Sequence, residues 1–537
     1  MKRFAWFVLL GILVHVTMAM ADTTFVAAGS HVSGEWVAAH SPYFLMGSVT
    51  INAGDSLTIG PGVQVKYGGT DNSQFTVIGR LNVQGATDDP VDVDFGRLCG
   101  FSTTESTSRL NLSFCTVENA ATQGSSGGLE GAFDLNYGVQ AVFSDCAILN
   151  GTADIGGGLH LRNGSTAVLT RCRISDCTGD KAGAISVSGT CHLTLTDCAL
   201  EYNTSRNGEG GALLMWSGAS QDSTPRIMVE QCQFVGNVSG SGSGNGQGGA
   251  VQCNRGVFAT FDHCLFFGNR ANGQNGVGGA ISTMDPLGGY GLVQLTNCTF
   301  AANSAYQASA IAVAGTTSRP PHETLVESCI FALNRAGMPA SQTIGFSGTV
   351  GTSVIEYNDC YANYGRNFPS GFGGHAAINA RGDSCDAFRN VSVDPQFVDT
   401  VGDCHLTAAS HCIDAGNPAL PHDPDSTVAD IGAYFFDQHP NAGGGRTAVN
   451  PRDLSLSSYP NPFNPQTEIR FDLPQSGRVT LRIYDMLGRE VETVVDQPVA
   501  AGSHTYLWNG ANRASGIYFA VLKSGGKQVT HKLLMIK

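Results

Sequence analysis

The sequence is short of charge and of aromatic side chains: 14% of its residues are charged, 8% are aromatic, and only four are tryptophan. Chains of this kind do not build long helices laced with ion pairs. Lysine is nearly missing from the middle. Between residues 22 and 453 only Lys66 and Lys181 occur, and that stretch holds 19 basic against 38 acidic residues. A formal charge of −14 for the whole chain argues against a nucleic-acid partner. No apolar run of 18 residues follows residue 21, so no transmembrane helix is expected beyond that point. No Cys-x-x-Cys pair occurs, which argues against a thiolate metal centre.

What the chain has in excess is glycine, 69 of 537 residues, where about 7% is usual. The glycines show no every-third period, which excludes collagen, and a hydrophobic content of 42% excludes wholesale disorder. At roughly 150 residues per domain the length suggests three or four domains, unless one unit repeats. The first 21 residues read as a secretory signal peptide. Lys2 and Arg3 form its positive start, Phe4 to Val16 its apolar stretch, and Ala19-Met20-Ala21 a cleavage site that leaves Asp22 first.

There are 16 cysteines, and nine of them keep a rhythm. Cys115, Cys146, Cys172, Cys198, Cys232, Cys264, Cys298, Cys329 and Cys360 are separated by 31, 26, 26, 34, 32, 34, 31 and 31 residues. This is an internal repeat. Around most of them apolar residues stand five and three positions earlier, a polar residue just before and an apolar one two later, as in Leu193-Thr194-Leu195-Thr196-Asp197-Cys198-Ala199-Leu200. That pattern is one strand, a polar corner that resets the phase, and a second strand with the cysteine facing inward. Asn203, Asn237, Asn269, Asn303 and Asn334 each follow a cysteine by five residues. A glycine step then leads into another strand, as in Gly210-Gly211-Ala212-Leu213, Gly248-Gly249-Ala250-Val251 and Gly278-Gly279-Ala280-Ile281.

A unit this short cannot bury its apolar face alone, whereas stacked copies share a continuous core. The expected fold is all-β, a parallel β-helix solenoid. Equivalent residues then lie about 4.8 Å apart on successive coils. The cysteines should form an internal ladder of free thiols, because parallel Cβ directions are poorly aimed for disulfides. The asparagines should chain their amides at a corner whose left-handed backbone they tolerate.

Residues 105–384 are assigned to the repeats, residues 22–104 to a cap and first coils, and residues 385–437 to closure of the body. Asp88-Asp89 reads first as a polar turn between two of the early strands, with a catalytic carboxylate pair as the alternative. Near the closure, Asp423-Pro424-Asp425 and Asp430 read first as a solvated turn, with a Ca²⁺ loop as the alternative. Calcium is thus the one candidate cofactor. Cys404 and Cys412, eight residues apart, are the best disulfide candidates. Residues 438–453, with Gly443-Gly444-Gly445, read as a linker. Short alternating strands over residues 454–537 suggest a small antiparallel β-sandwich of immunoglobulin-like type.

Strand alternation also names a candidate ligand face. It places Leu159, Leu161, Ile185, Val187, Leu213 and Met215 inside. His160, Ser186, Leu214, Gln252 and Ser282 then stack in one outward column, with Arg162, Ser188, Trp216, Asn254 and Met284 in the next. Trp216 beside Arg162, His160, Gln252 and Asn254 could hold a sugar by stacking and hydrogen bonding. The alternative is a solvated face with Trp216 covered by residues 217–225.

The pairs Phe234/Asn237, Phe266/Asn269, Phe300/Asn303 and Phe331/Asn334, with the glycine steps, resemble the repeats of chlamydial polymorphic outer-membrane proteins. Those are surface adhesins within the pectate-lyase-like superfamily of right-handed parallel β-helices, and the resemblance implies that hand. It covers about residues 105–365. Those relatives end in a membrane β-barrel, for which this tail shows no counterpart.

The tail instead resembles the type A C-terminal sorting domain of the type IX secretion system. The matching residues are Tyr459-Pro460-Asn461-Pro462-Phe463-Asn464, Ile483-Tyr484-Asp485-Met486-Leu487-Gly488-Arg489, Ser515-Gly516-Ile517-Tyr518-Phe519, and the basic end from Lys532 to Lys537. The resemblance implies export through Sec and the periplasm, engagement of the type IX machinery, and removal of the tail with release or surface anchoring. Two activities stay open for the body. One is a binding or adhesive solenoid for glycans or surfaces; the alternative is a polysaccharide lyase or glycoside hydrolase of the pectate-lyase-like group.

Overall fold

In the computed structural model the described residues are 23–438 and 454–535, apart from 71–72, 97–98, 122–130, 217–225, 243–244, 255, 284–290, 315–322, 339–340, 348–352, 371, 375, 380, 400–401, 460–462, 464, 487, 500–501 and 512. The signal peptide, the body of the linker, and Pro460, Asn461, Pro462 and Lys537 of the sorting motif lie outside them. The chain divides into two compact units, residues 1–436 and residues 437–537.

The first unit is a parallel β-helix. Among the described residues, three long sheets of 13, 12 and 12 strands run along it with a shorter one of seven, each strand hydrogen-bonded to its equivalents on neighbouring coils. No α-helix occurs among the described residues. Stacking begins at Thr24–Val26, which pairs in parallel with Tyr43–Leu45, so residues 24–103 are already coils of the same sheets. Asp89 lies in a tight turn closed by reciprocal backbone hydrogen bonds with Ala86.

Each coil turns at a residue whose backbone is left-handed. One such residue stands immediately before the cysteine position (Asp145, Arg171, Asp197, Gln231, His263, Asn297 and Ser328) and a second closes the strand that follows (Asn150, Asp176, Tyr202, Gly236, Gly268, Ala302 and Leu333). The left-handed residue is therefore the one before each ladder asparagine, not the asparagine. The asparagine is needed for its side chain. Asn203 Nδ2 donates to Asn237 Oδ1 at 3.0 Å, and the chain continues through Asn269, Asn303 and Asn334 to Asn363. Each amide also donates to a carbonyl of the preceding coil, such as Ile174 O and Leu200 O, so a row of buried polar groups is fully used.

Eight of the nine rhythmic cysteines share one column. The ninth does not. Register pairs Ile330 with Asp359 and Phe331 with Cys360, so Asn358 takes the rung above Cys329. Cys360 instead ends a stack of phenylalanines, Phe234, Phe266, Phe300 and Phe331, whose ring centroids are 4.7–4.8 Å apart. All sixteen cysteines are buried free thiols.

At the glycine step the second glycine has no room for a side chain. A Cβ on Gly211, Gly249 or Gly279 would lie 2.0 Å from the carbonyl oxygen of the next coil. The small residue lets the chain pass close beneath its neighbour before the next strand starts.

The closing segment does more than end the stack. Asn390 caps the column above Asn358, donating nothing to it but accepting its amide at 3.0 Å. The chain then runs back over the outer face of the cysteine sheet. Asn297 Nδ2 donates to Asp430 O, Ala433 N to Thr299 Oγ1, and Gln233 Nε2 to Tyr434 Oη. Leu265, Ala301, Ile330 and Ala332 are buried under this strap.

The second unit holds two antiparallel sheets. One consists of Ser455–Tyr459, Gln466–Leu473 and Gly502–Asn509; the other orders Glu490–Val499, Gly477–Asp485, Gly516–Ser524 and Lys527–Met535. Their inner faces share a core that includes Ile469, Phe471, Leu481, Ile483, Trp508, Leu522 and Leu533.

Candidate functional site

The sheet entered from the glycine steps carries the candidate ligand face. Its register follows the sequence expectation: Leu159, Ile185, Leu213, Val251 and Ile281 align on successive rungs. His160, Ser186, Leu214, Gln252 and Ser282 align likewise, but this outward column is buried, with His160 at 4% exposure and Gln252 at 0%. The expectation that His160 and Gln252 face a ligand is thus corrected. Gln252 turns along its own strand, donating to Asn254 Oδ1 at 2.5 Å.

His160 sits one rung above Asp134, a residue the sequence reading did not single out. Its Nδ1 lies 4.0 Å from Asp134 Oδ1. Arg162 reaches back to the same carboxylate with two hydrogen bonds, Nε to Oδ1 at 3.0 Å and Nη2 to Oδ2 at 2.5 Å. A bidentate pair whose carboxylate is buried is held rigidly. Asp134 and Arg162 form the hydrogen-bonded pair, with His160 buried beside them, and Arg162 spends its charge on Asp134. The sequence signal for Asp134 was present: Phe133-Asp134-Leu135 repeats the apolar-polar-apolar pattern of Leu159-His160-Leu161, without a full glycine step before it.

In the second column Trp216 aligns with Ser188 below and Asn254 above, and it is 43% exposed. Met284 and residues 217–225 lie outside the described residues. Trp216, Asn254 and Ser188 therefore align in one row, Trp216 exposed and the other two half-buried, with Arg162 on the rung below Ser188 as its polar boundary.

The Ca²⁺ alternative fails on the chemistry of its donors. Asp423 Oδ2 accepts the Asp430 N–H, Asp430 accepts the amides of Asp414 and Phe436, and Asp425 Oδ1 accepts from Thr427. The carboxylates point at backbone amides rather than at a common centre, and no three ligating groups converge among the described residues. Burial pushes Asp430 up to about 7 and raises Asp423. They fasten the strap.

Cys404 and Cys412 are not joined. Cys404 packs with Leu265 and Ala301, whereas Cys412 lies among Ile330, Cys385 and Ile413, its thiol donating to Asp359 Oδ2 at 3.6 Å. The strap places them in separate apolar clusters, so the short sequence separation does not bring them together.

In the tail, Phe463 is fully buried against Trp508, with ring centroids 5.3 Å apart. Tyr518 packs on the other side of Trp508 and donates to Ala514 O at 2.8 Å. Gly488 takes a left-handed backbone in the hairpin between Gly477–Asp485 and Glu490–Val499, where Asp485 accepts the Arg489 N–H. Gly516 opens the strand Gly516–Ser524, and the backbone of Tyr459 closes Ser455–Tyr459. Among the described residues, Phe463 and Tyr518 are thus core anchors and Gly488 a turn of one small module.

These geometries define a parallel β-helix followed in sequence by a β-sandwich module. Residues 91–285 match the family model described as right handed beta helix region, and residues 457–537 match the one described as secretion system C-terminal sorting domain. No curated protein and no solved structure matches the chain. The protein is a secreted β-helix protein whose tail addresses it to the type IX secretion machinery, and so to the cell surface or the extracellular space. No helix among the described residues is long and apolar enough to cross a membrane.

Proposed function

We propose that the β-helix is a binding solenoid that holds glycans on the flank of its glycine-step sheet, at the row of Ser188, Trp216 and Asn254. The observation that carries this reading is the exposure of Trp216 on a rigid parallel sheet. An indole open to solvent offers an apolar face to a pyranose ring, and Asn254 and Ser188 offer hydrogen bonds beside it. The sheet is braced from below by the Asp134–Arg162 pair, so the platform is preorganised. The acidic charge of residues 22–453 favours neutral over anionic glycans.

Binding rather than turnover is favoured by the cluster itself, in which Asp134 and His160 are closed from solvent. The test is a glycan array probed with the wild-type protein and with Trp216→Ala. Loss of binding in the variant supports the row as the site; unchanged binding removes it. Release of reducing or unsaturated sugars by the purified protein would replace the binding reading with an enzymatic one.

A further inference from the structure

Higher on the same sheet the outward column shrinks rung by rung, from Leu214 through Gln252 and Ser282 to Ala312 and Gly345. Beside it runs a ridge made by the paired backbones of Glu209, Gln247, Val277 and Gln307. Where the column has fallen to alanine and glycine, a cavity of about 350 Å³ lies against Ala312 and Gly345. That volume lies within the range of about 300–1,000 Å³ usual for small-molecule sites. Gly345 is required there, because a Cβ would come within 2.7 Å of the Ala308 Cβ.

The floor is a small apolar cluster of Val277, Ala308 and Ala312, distinct from the main core. Phe346 and the half-exposed Met338 add an aromatic and an adaptable wall. Gln307 and Gln342 are its two amide-bearing lining residues, and Ser341 already accepts the Ala308 N–H at 2.8 Å. No ionisable side chain lines the cavity among the described residues.

We propose that this cavity binds the acetamido group of an N-acetylated amino sugar. An uncharged lining selects a neutral ligand, since a buried charge without a partner is costly. The acetamido methyl suits the floor of Val277, Ala308 and Ala312. Its amide matches a glutamine amide, which offers one acceptor and two donors. A plain hexose would leave the apolar floor unfilled. A hydrocarbon chain would cover the glutamine amides and leave them without partners, which disfavours it. The pyranose carbon face can rest on Phe346. This site stands on rungs above Trp216 and does not depend on the reading given to that residue.

The experiment titrates the full chain with the N-acetylglucosamine disaccharide chitobiose, with cellobiose and with octanoate, by calorimetry and saturation-transfer NMR. Chitobiose should bind, with the strongest transfer to its acetamido methyls, and cellobiose should bind at least tenfold more weakly. Ala312→Phe fills the cavity and should weaken chitobiose about tenfold or more. Gln307→Ala, at an exposed position, should weaken it several-fold, and Asn111→Ala, exposed on another sheet and outside both glycan sites, should leave it unchanged. Equal affinity for cellobiose, binding of octanoate alone, no binding of chitobiose, or undiminished binding by Ala312→Phe would each overturn the proposal.

Discussion

One oxygen of Asn237 holds Asn203 twice: its Oδ1 accepts both the backbone and the side-chain N–H of Asn203, each at 3.0 Å. The same pairing repeats up to Asn363, fully buried in the wall of the solenoid as far as Asn334. Each coil therefore satisfies the polar groups of the one before it.

Removing a rung should be expensive. Asn237→Ala deprives two buried donors of their acceptor and leaves Leu200 O without the Asn237 amide. At roughly 1–3 kcal/mol per stranded group, a loss of at least about 3 kcal/mol is expected in urea denaturation. The exposed Asn111, whose amide donates to Asn82 at 3.2 Å, is the matched control. Asn111→Ala should change stability by less than about 0.5 kcal/mol. Equal effects at the two positions would show that the buried row is not a structural device.

The thiols should be silent until the fold opens. All sixteen are buried, and burial pushes Cys177 up to about 12 and raises Cys264 and Cys298 well above the ordinary thiol range. A thiol must be both ionised and reachable to react. Titration with a thiol reagent at pH 8 should find none in the native protein and all sixteen in denaturant. Fast labelling of any of them in the native state contradicts the ladder.

The glycine step makes a steric prediction. Gly249→Ala puts a Cβ 2.0 Å from Gly279 O and 2.5 Å from Arg270 N, both backbone atoms that cannot swing aside. A loss above about 3 kcal/mol is expected, in the range reserved for backbone strain and core disruption. Gly374, with open space around it and no left-handed backbone, should accept alanine at little or no cost. Thermal unfolding of the two variants side by side decides the matter.

In the tail, Phe463→Ala removes a fully buried ring packed on Trp508. The cost should be about 3–5 kcal/mol, enough to unfold a module of this size. Fractionation should then find the protein retained in the cell, while Met486→Ala, at an exposed turn position, should be exported normally. Normal export of the Phe463 variant would mean that the machinery reads the motif without the folded module.

Much of this architecture was legible because stacking repeats a residue type at the same point of each coil. The cysteine, asparagine and phenylalanine columns are readable at sight for that reason. Cys360 misled because its spacing of 31 residues from Cys329 matches the rhythm, while the left-handed corner has moved: Ser328 and Tyr357 are 29 apart. The corner sets the register, and a cysteine is small enough to fill the phenylalanine column instead. His160 and Gln252 misled for another reason. Alternation tells which side of a strand a residue takes, and it is silent on what lies over that side. The strap was hidden too, since a chain that folds back over distant coils leaves no period.

That strap should loosen as the pH rises. Burial pushes Asp359 up to about 8 and Asp430 up to about 7. Asp359 Oδ1 accepts the Val393 N–H at 3.0 Å and its Oδ2 faces the Cys412 thiol; Asp430 accepts the amides of Asp414 and Phe436. Both carboxyls have folded pKa values above the unfolded value of about 3.9. The fold therefore binds their protons more tightly than the unfolded chain does. The associated stability is complete below about pH 4 and is lost progressively as the pH climbs through 7 and 8. Amide exchange at Ile413 and Ile431, buried in the strap, should quicken between pH 5 and 8 beyond the intrinsic base catalysis seen in an unfolded peptide. Asp359→Asn keeps an acceptor for Val393 and cannot ionise, so it should flatten most of that dependence. A strap whose protection grows with pH, or a variant as pH-sensitive as the wild type, would mean that these two carboxyls do not govern its hold on the solenoid.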